Sequence, residues 1–260
     1  MISVIVPYRD AEPYLDRCCR SMARQQGDFE FLLVNDNSKD NGKEITEEYA
    51  SKDDRFKSLD NARSPGVSGA RNTGLDNAAG DMITFLDADD ELFKEAWQTF
   101  NRAMTIDADM IQYNHLRYYK KLNKVALKYT NHEGWFHVSR LPILWCYVWN
   151  KTFARTLVED IRFKEGMQFG EDELFNLECL AKTKRIYNVN EITTIHHFEN
   201  GNSLARSKTA ERIWQQAHAL EDFIKDQEDP DMRVCACKIL SEHWQSKTYI
   251  KMIGEGANRT

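Results

Sequence analysis

The sequence predicts an α/β fold in which a mostly parallel central sheet carries helices on both faces and is followed by C-terminal helices. Two features predict this fold. Short apolar runs rich in β-branched residues alternate with helical patterns over the first hundred residues. Amphipathic helical patterns return from about residue 208 and are broken at Asp229 and Pro230.

The elements of the first half follow from local signals. A strand that starts at Ile2 is stopped by Pro7, turn-forming residues over 37–42 precede a helix, and Gly80 ends another helix. Strands are predicted over residues 2–6, 29–34, 56–59 and 82–86, and helices over residues 11–26, 42–52 and 67–78. The last of these strands is apolar enough to be central in the sheet.

The pattern becomes less regular after Leu92, where a second half with a different role begins. Helices are predicted over residues 93–106 and 171–182, and strands over residues 109–119, 124–129, 185–189 and 192–198. Two further helices are predicted after residue 208. The chain contains no internal repeat and no low-complexity linker.

Composition narrows the class of protein. The chain has 260 residues, 42% hydrophobic and 29% charged, which is the balance of a soluble globular protein. Its net charge of −6 argues against nucleic-acid binding, which needs a basic face. We expect no spanning helix, because the sequence has no run of about 18 apolar residues. We expect no signal peptide, because the first residues lack a basic segment followed by a long apolar stretch. Six cysteines without metal-ligand spacing are expected to stay reduced, as in a cytoplasmic protein.

Acidic residues follow the fourth predicted strand directly. Asp87, Ala88 and Asp89 come after the apolar run 83–86, at the carboxyl end of a strand, where open α/β sheets place ligands. Two carboxylates with this spacing can direct oxygens to one point, and oxygen ligands suit Mg²⁺ or Mn²⁺. The alternative is an acidic turn before a helix, with Asp90 as its N-cap.

Two further segments place polar groups near the same edge. Asp36 ends the second predicted strand, where it can accept hydrogen bonds from a base or a ribose or can only brace the following turn. Gly66, Gly69 and Gly74 surround Arg71, whose guanidinium group can meet phosphate oxygens.

The second half contains an acidic cluster and a histidine pair. Residues 170–173 begin a predicted helix, where acidic residues also serve as caps. His196 and His197 end a late strand, where an imidazole is either a metal ligand or a surface residue. Trp135, Trp145 and Trp149 are candidates for a platform on which a ligand stacks or for core packing.

Taken in order, these segments resemble the inverting glycosyltransferases of family 2, which have the GT-A fold. The resemblance runs from Ser3 to about Ser203. Its motifs are residues 3–7 with 11–15, residues 35–40, residues 66–74, residues 83–90, residues 149–153 and residues 171–175. The sequence departs from the family pattern at Arg9 and at Asn35 and Asn37, although Asn37 can still adopt the positive φ that the turn needs.

The resemblance implies a role for each matching position. Asp172 would be the catalytic base, and Asp89 would ligate the cation together with His197, with His196 less favoured. The positions implied for binding of the nucleotide sugar are Pro7, Arg9, Asp36, Arg71, Asp87, Ala88, Ser203 and Arg206.

The resemblance also implies the activity and the organisation of the chain. It implies a metal-dependent, inverting transfer of a sugar from a UDP-sugar to an acceptor hydroxyl, with Mn²⁺ or Mg²⁺, in the synthesis of bacterial surface polysaccharide or glycolipid. Residues 1–105 would bind the donor, residues 106–207 would bind the acceptor and carry the base, and residues 208–260 would form a helical extension.

The implied partners are the donor and a saccharide or glycolipid acceptor, with no nucleic acid. The expected location is cytoplasmic, with peripheral contact to the inner face of the membrane left open, as is oligomerisation through the C-terminal helices. Two alternatives remain. A phosphohydrolase of the haloacid dehalogenase type also uses a strand followed by Asp-x-Asp, and an inactive nucleotide-sugar-binding protein would keep the same motifs.

Overall fold

The structure is a computed structural model that describes residues 1–128, 133–136, 147–167, 169–198 and 210–244. Within them the strands are β1 (Ile2–Tyr8), β2 (Phe29–Asn35), β3 (Phe56–Asp60), β4 (Met82–Phe85), β5 (Glu91–Leu92), β6 (Met110–Tyr119), β7 (Lys124–Lys128), β8 (Gly134–Phe136), β9 (Lys151–Ala154) and β10 (Ile186–Phe198). The helices are α1 (Glu12–Ala23), α2 (Gly42–Lys52), α3 (Val67–Asn77), α4 (Ala96–Ala103), α5 (Glu171–Lys182), α6 (Ala210–Asp226) and α7 (Pro230–Trp244).

The described strands form one sheet with the order β3-β2-β1-β4-β9-β6-β10-β5, to which β7 adds beside β6 and β8 beside β10. The first four strands in this order are parallel. Their carboxyl ends therefore lie at one edge of the sheet, which is where the polar residues that follow β2 and β4 come together. The predicted α/β class is confirmed.

The second half of the sheet is mixed. β9 lies antiparallel between β4 and β6, and β6 is parallel to β10. The sequence did not predict β9, because it has only four residues and includes a buried lysine, Lys151. The strands predicted over 185–189 and 192–198 are one strand, β10, with register shifts on either side of Ile192.

Alternate residues of the central strands enter two cores on opposite faces of the sheet. Val4 and Val6 of β1 pack in one core with α1 and α4, whereas Ile5 packs in the other with α3, α5, α6 and α7. Both sets are fully buried, which is why these strands are apolar at almost every position. Helices therefore cover both faces, as predicted.

The C-terminal helices pack against α5. Leu220 of α6 and Met232 of α7 share a core with Leu177 and Phe175 of α5. Gly170, which precedes α5, has a φ of 81°, and a Cβ there would lie 2.6 Å from Gln216 of α6. None of the helices in the described ranges combines the length and the apolar character needed to cross a bilayer.

Replacing Gly74 with alanine is expected to lower the free energy of unfolding by about 1–3 kcal/mol. A Cβ at this position would lie 2.3 Å from Cγ2 of Ile5, so α3 would have to move away from β1. Chemical denaturation measures the change. Glu47→Ala, at an exposed position of α2, is the control. A Gly74→Ala protein as stable as the control would contradict this account of the packing.

Candidate active site

Three carboxylates meet where β4 ends. Oxygens of Asp87, Asp89 and Asp90 all lie within 4.8 Å of one another. The backbone holds them there, because Leu86 N–H donates to the Ile5 carbonyl at 3.0 Å and Asp90 N–H donates to the Asp87 carbonyl at 2.9 Å. The edge of the sheet and a tight turn thus gather the acidic residues that the sequence places in a row.

The carboxylates of this cluster repel one another. Desolvation and the negative charges of Asp90 and Asp87 raise the pKa of Asp89 to about 7. Burial also raises the pKa of Asp90, although His196 opposes it. Carboxylate oxygens are the ligands that Mg²⁺ and Mn²⁺ prefer, and bound cations are often the largest local charges in such sites. The donor set therefore fits a divalent cation.

Asp90 organises the end of β10. This residue is fully buried, and its carboxylate accepts hydrogen bonds from Nδ1 of His196 at 2.9 Å and from the backbone N–H of His197 at 2.8 Å. The alternative in which Asp90 caps a helix is wrong, because β5 follows it and α4 begins only at Ala96. Sequence reasoning missed Asp90 as a site residue, since a cap and a buried anchor look alike in sequence.

The two histidines face different partners. Nε2 of His197 lies 2.6 Å from Glu91, and its ring packs edge-on against Tyr118. The ring of His196 is bonded to Asp90 and stacks on Trp149, with ring centroids 5.1 Å apart. The geometry thus brings His196, rather than His197, to the carboxylate cluster, and the metal-ligand role of His197 stays a prediction.

Arg71 joins the carboxylates after β4 to those at the start of α5. Its Nη2 lies 3.2 Å from Asp87, and its Nη1 lies 3.1 Å from Glu171 and 2.5 Å from Asp172. Arg71 itself is 3% exposed, whereas the side chains of Asp87, Glu171 and Asp172 are 33%, 14% and 17% exposed, so the guanidinium is shielded from water and its partners are only partly buried. Burial lowers the pKa of Arg71, but the three carboxylates outweigh it, and the net pKa is raised. This guanidinium is therefore always charged.

Asp172 lies in the first turn of α5, where the helix presents it to Arg71. Burial raises the pKa of its carboxyl well above the usual value, against the opposing charge of Arg71. A carboxylate with a raised pKa is a stronger proton acceptor, which is what a general base requires. The structure thus brings Asp172, Arg71 and Asp87 into one connected group.

Asn72 is a supporting residue that sequence reasoning did not assign. Its side chain donates to the carbonyl of Phe163 at 2.9 Å and accepts from the N–H of Phe163 at 2.8 Å. The Phe163 ring lies under the guanidinium of Arg71, 5.2 Å from its carbon, and stacks on Phe175 of α5. Asn72 therefore positions the platform on which Arg71 rests. The Arg-Asn pair was the available signal.

Two of the predicted donor-binding residues, Asp36 and Arg9, lie where β2 and β1 end. Asp36 is buried and accepts hydrogen bonds from Gly66 N–H at 2.9 Å and from Asn61 at 2.8 Å, so it braces the loop before α3. Nη1 of Arg9 lies 3.7 Å from Asp36. Asn37 has a φ of 57°, as the predicted turn requires.

Four further positions were predicted to bind the donor, and the structure describes two of them. Pro7 is buried in β1, and Ala88 is buried between Asp87 and Asp89. Ser203 and Arg206 lie outside the described residues. The binding roles of these residues stay predictions.

The tryptophans belong to different groups. Trp149 is buried and packs between His196 and Tyr147, whereas Trp135 is 57% exposed and packs against Tyr187. Trp145 lies outside the described residues. Of the two candidates for sugar stacking that the structure describes, Trp149 lies next to the carboxylate cluster, through His196.

Comparison with known sequences identifies relatives along most of the chain. The family model described as Glycosyl transferase family 2 matches residues 3–170. The chain is 33% identical over 222 residues to the uncharacterized glycosyltransferase EpsJ of Bacillus subtilis, covering 78% of this chain and 62% of that protein. It is 28% identical to the GalNAc(5)-diNAcBac-PP-undecaprenol beta-1,3-glucosyltransferase of Campylobacter jejuni, covering 90% of this chain and 79% of the relative. The chain thus spans less than two thirds of EpsJ.

Solved structures agree on the fold. The structure of S. aureus TarS 1-349 in complex with UDP-GlcNAc matches with a TM-score of 0.79 and 22% identity, covering 95% of this chain and 74% of that one. The mannosyltransferase PcManGT from Pyrobaculum calidifontis, in complex with GDP-Man and Mn²⁺, matches with a TM-score of 0.65 and 14% identity, covering 99% and 79%. At these identities the likeness concerns the fold, which is GT-A. With more than half of its residues matched, the chain belongs to the glycosyltransferases of family 2.

Proposed function

We propose that the protein transfers a sugar from a nucleotide diphosphate donor, preferably a UDP-sugar, to an acceptor hydroxyl, with inversion and with a divalent cation. One observation carries this proposal. The carboxylate cluster at the end of β4 is joined through the buried Arg71 to Asp172, so a cation site and a basic carboxylate lie in one group.

The donor is proposed to lie at the carboxyl edge of β1, β2 and β4. Residues 1–105 would supply this half, residues 106–207 the acceptor half, and residues 208–260 the helical extension. Asp36 and Arg9 would meet the nucleoside, while Arg71, Asp87 and Ala88 would lie near the diphosphate. The preference for UDP is supported by the UDP-GlcNAc in the TarS complex.

Asp89 is the proposed cation ligand, with His197 as a predicted second ligand. Mn²⁺ or Mg²⁺ held there would neutralise charge on the departing nucleoside diphosphate. The Mn²⁺ in the PcManGT complex supports this choice of ion.

Asp172 is the proposed general base. Its carboxylate would take the proton of the acceptor hydroxyl as that oxygen attacks the anomeric carbon from the face opposite the leaving group. Arg71 would orient Asp172 through Nη1 and hold Asp87 through Nη2. This arrangement needs no covalent intermediate, and a single displacement inverts the configuration at the anomeric carbon.

The proposed acceptor belongs to bacterial surface polysaccharide or glycolipid synthesis, with the protein in the cytoplasm or at the inner face of the membrane. The support is the Campylobacter jejuni relative, whose name specifies an undecaprenol-linked substrate. Membership of family 2 argues against the phosphohydrolase alternative. Activity assays decide between transfer and an inactive binding protein.

Thermal unfolding with a donor panel tests the cation and donor site. UDP-GlcNAc or another UDP-sugar with Mn²⁺ is expected to stabilise the protein by about 2.7 kcal/mol at a hundredfold excess over Kd. Two treatments are each expected to remove most of this stabilisation. EDTA removes the cation itself, and the Asp89→Asn substitution removes its proposed ligand.

Asp54→Asn, at an exposed position in the loop before β3, is the control and is expected to keep the full shift. The metal-free Asp89→Asn protein is expected to be at least as stable as the wild type, because it loses a carboxylate that its neighbours repel. Donor-induced stabilisation that survives both EDTA and Asp89→Asn would rule out the proposed cation site. An absence of response to every donor would count against the proposed function itself.

A further inference from the structure

The hairpin formed by β6 and β7 concentrates positive charge on an acidic protein. Residues 110–132 contain five lysine and arginine residues and no aspartate or glutamate, in a chain whose net charge is −6. Lys120, Lys121 and Lys124 are exposed and lie together around the 3-10 turn that connects the two strands. The tip of the hairpin is therefore strongly basic.

The same tip exposes apolar side chains. Leu122 is 70% exposed, Val125 is 55% exposed and Leu127 is 46% exposed. Val125 and Leu127 point to one face of β7, because side chains alternate along a strand, and Val125 pairs with Tyr118 on that face. Single exposed apolar residues are common on protein surfaces, but Leu122 and Val125 both lie at the tip, close in sequence to its three lysines. Leu127 lies farther along β7 and lines a cavity with Glu95 and Glu191.

Basic and apolar groups at one tip match the surface of an anionic bilayer. Lysines are attracted by anionic headgroups, and apolar side chains gain by entering the boundary with the acyl chains. A soluble polyanion would satisfy the lysines but would leave Leu122 and Val125 in water. We propose that the β6–β7 hairpin docks the protein on an anionic lipid bilayer.

The hairpin projects from the edge of the sheet that carries the candidate active site. β6 and β10 are parallel, and the rings of Tyr118 and His197 lie 5.3 Å apart. The neighbouring pair joins Arg117 to His196, whose ring is bonded to Asp90. A bilayer beneath the tip would lie beside the carboxylate cluster. Delivery of a lipid-linked acceptor to that cluster rests on the proposed function, whereas the docking itself does not.

Flotation with vesicles tests the docking without any donor. The wild-type protein is expected to bind vesicles of phosphatidylglycerol and phosphatidylcholine and to bind phosphatidylcholine alone much more weakly. The triple variant Lys120→Gln/Lys121→Gln/Lys124→Gln is expected to partition about a hundredfold less onto the anionic vesicles, which is about fivefold for each lysine. Leu122→Ser is expected to reduce partitioning about tenfold.

A matched triple, Lys52→Gln/Lys94→Gln/Lys225→Gln, removes the same charge from positions whose side chains are 66%, 75% and 70% exposed. It is expected to keep nearly full binding, and all variants are expected to unfold at the wild-type temperature. Absence of wild-type binding, or equal losses in the two triples, would overturn the proposal. An unchanged Leu122→Ser protein would also overturn it, by indicating a site for a soluble polyanion.

Discussion

Replacing Arg71 with methionine is expected to lower the free energy of unfolding by about 3–5 kcal/mol, because it leaves three neighbouring, partly buried carboxylates without their shared partner. The guanidinium contacts Asp87, Glu171 and Asp172, and it is the group through which the carboxylates of β4 and α5 are held together. Transfer activity is expected to fall to background, since Asp172 would lose its orientation. Denaturant unfolding and a transfer assay measure the two effects.

Arg63→Met is the matched control for this substitution. Arg63 also pairs with two carboxylates, those of Asp76 and Glu165, but its side chain is 36% exposed. Ion pairs in contact with solvent contribute about 0–1 kcal/mol to stability. The free energy of unfolding is therefore expected to fall much less in Arg63→Met than in Arg71→Met. Equal losses of unfolding free energy in the two variants would mean that the burial of Arg71 does not determine its contribution to stability.

Replacing Asp172 with asparagine is expected to lower kcat by a factor of about 10²–10⁴, the usual contribution of a general base. The donor-induced thermal shift is expected to stay largely unchanged, because Asp172 is not among the residues proposed to bind the donor. Stability is also expected to be retained, because burial disfavours the charged form of Asp172. Steady-state kinetics with the donor found by thermal screening measure the effect.

Glu171→Gln is the companion variant, because Glu171 also contacts Arg71 and neighbours Asp172 in sequence. Its kcat is expected to fall much less, since the amide still accepts a hydrogen bond from Arg71. Transfer by Asp172→Asn at a rate close to that of the wild type would refute the assignment of the base. A larger loss in Glu171→Gln would instead point to Glu171.

The parts of the site that the sequence predicted are those that depend on position along a strand. Asp87 and Asp89 follow an apolar strand, and the carboxyl ends of parallel strands share one edge, so their clustering follows from the strand pattern. The positive φ of Asn37 followed from turn chemistry in the same way. The helix predicted over residues 93–106 was too long at both ends. It is observed as α4 (Ala96–Ala103), because tertiary packing sets where this helix begins and ends.

The parts that the sequence did not predict depend on contacts between distant segments. Whether Asp90 caps a helix or anchors β10 was decided by a histidine 106 positions away. The sequence did not predict β9, because four residues are too few to show a periodic pattern. This strand nevertheless joins the two halves of the sheet, since it pairs with β4 and with β6. The positioning role of Asn72 depends on its hydrogen bond to the backbone of Phe163, 91 residues away, which no local sequence pattern indicates.

The sequence by itself determined the α/β class, the order of the strands and helices from β1 to β4, and the acidic edge after β4. These features arise from periodicity and turn chemistry, which act between near neighbours. Only the tertiary structure decided that Arg71 joins Asp87, 16 positions away, to Asp172, 101 positions away. The reason is that α3 and α5 bury their apolar faces in the same core, and a charge buried beside that core must have its partners close by.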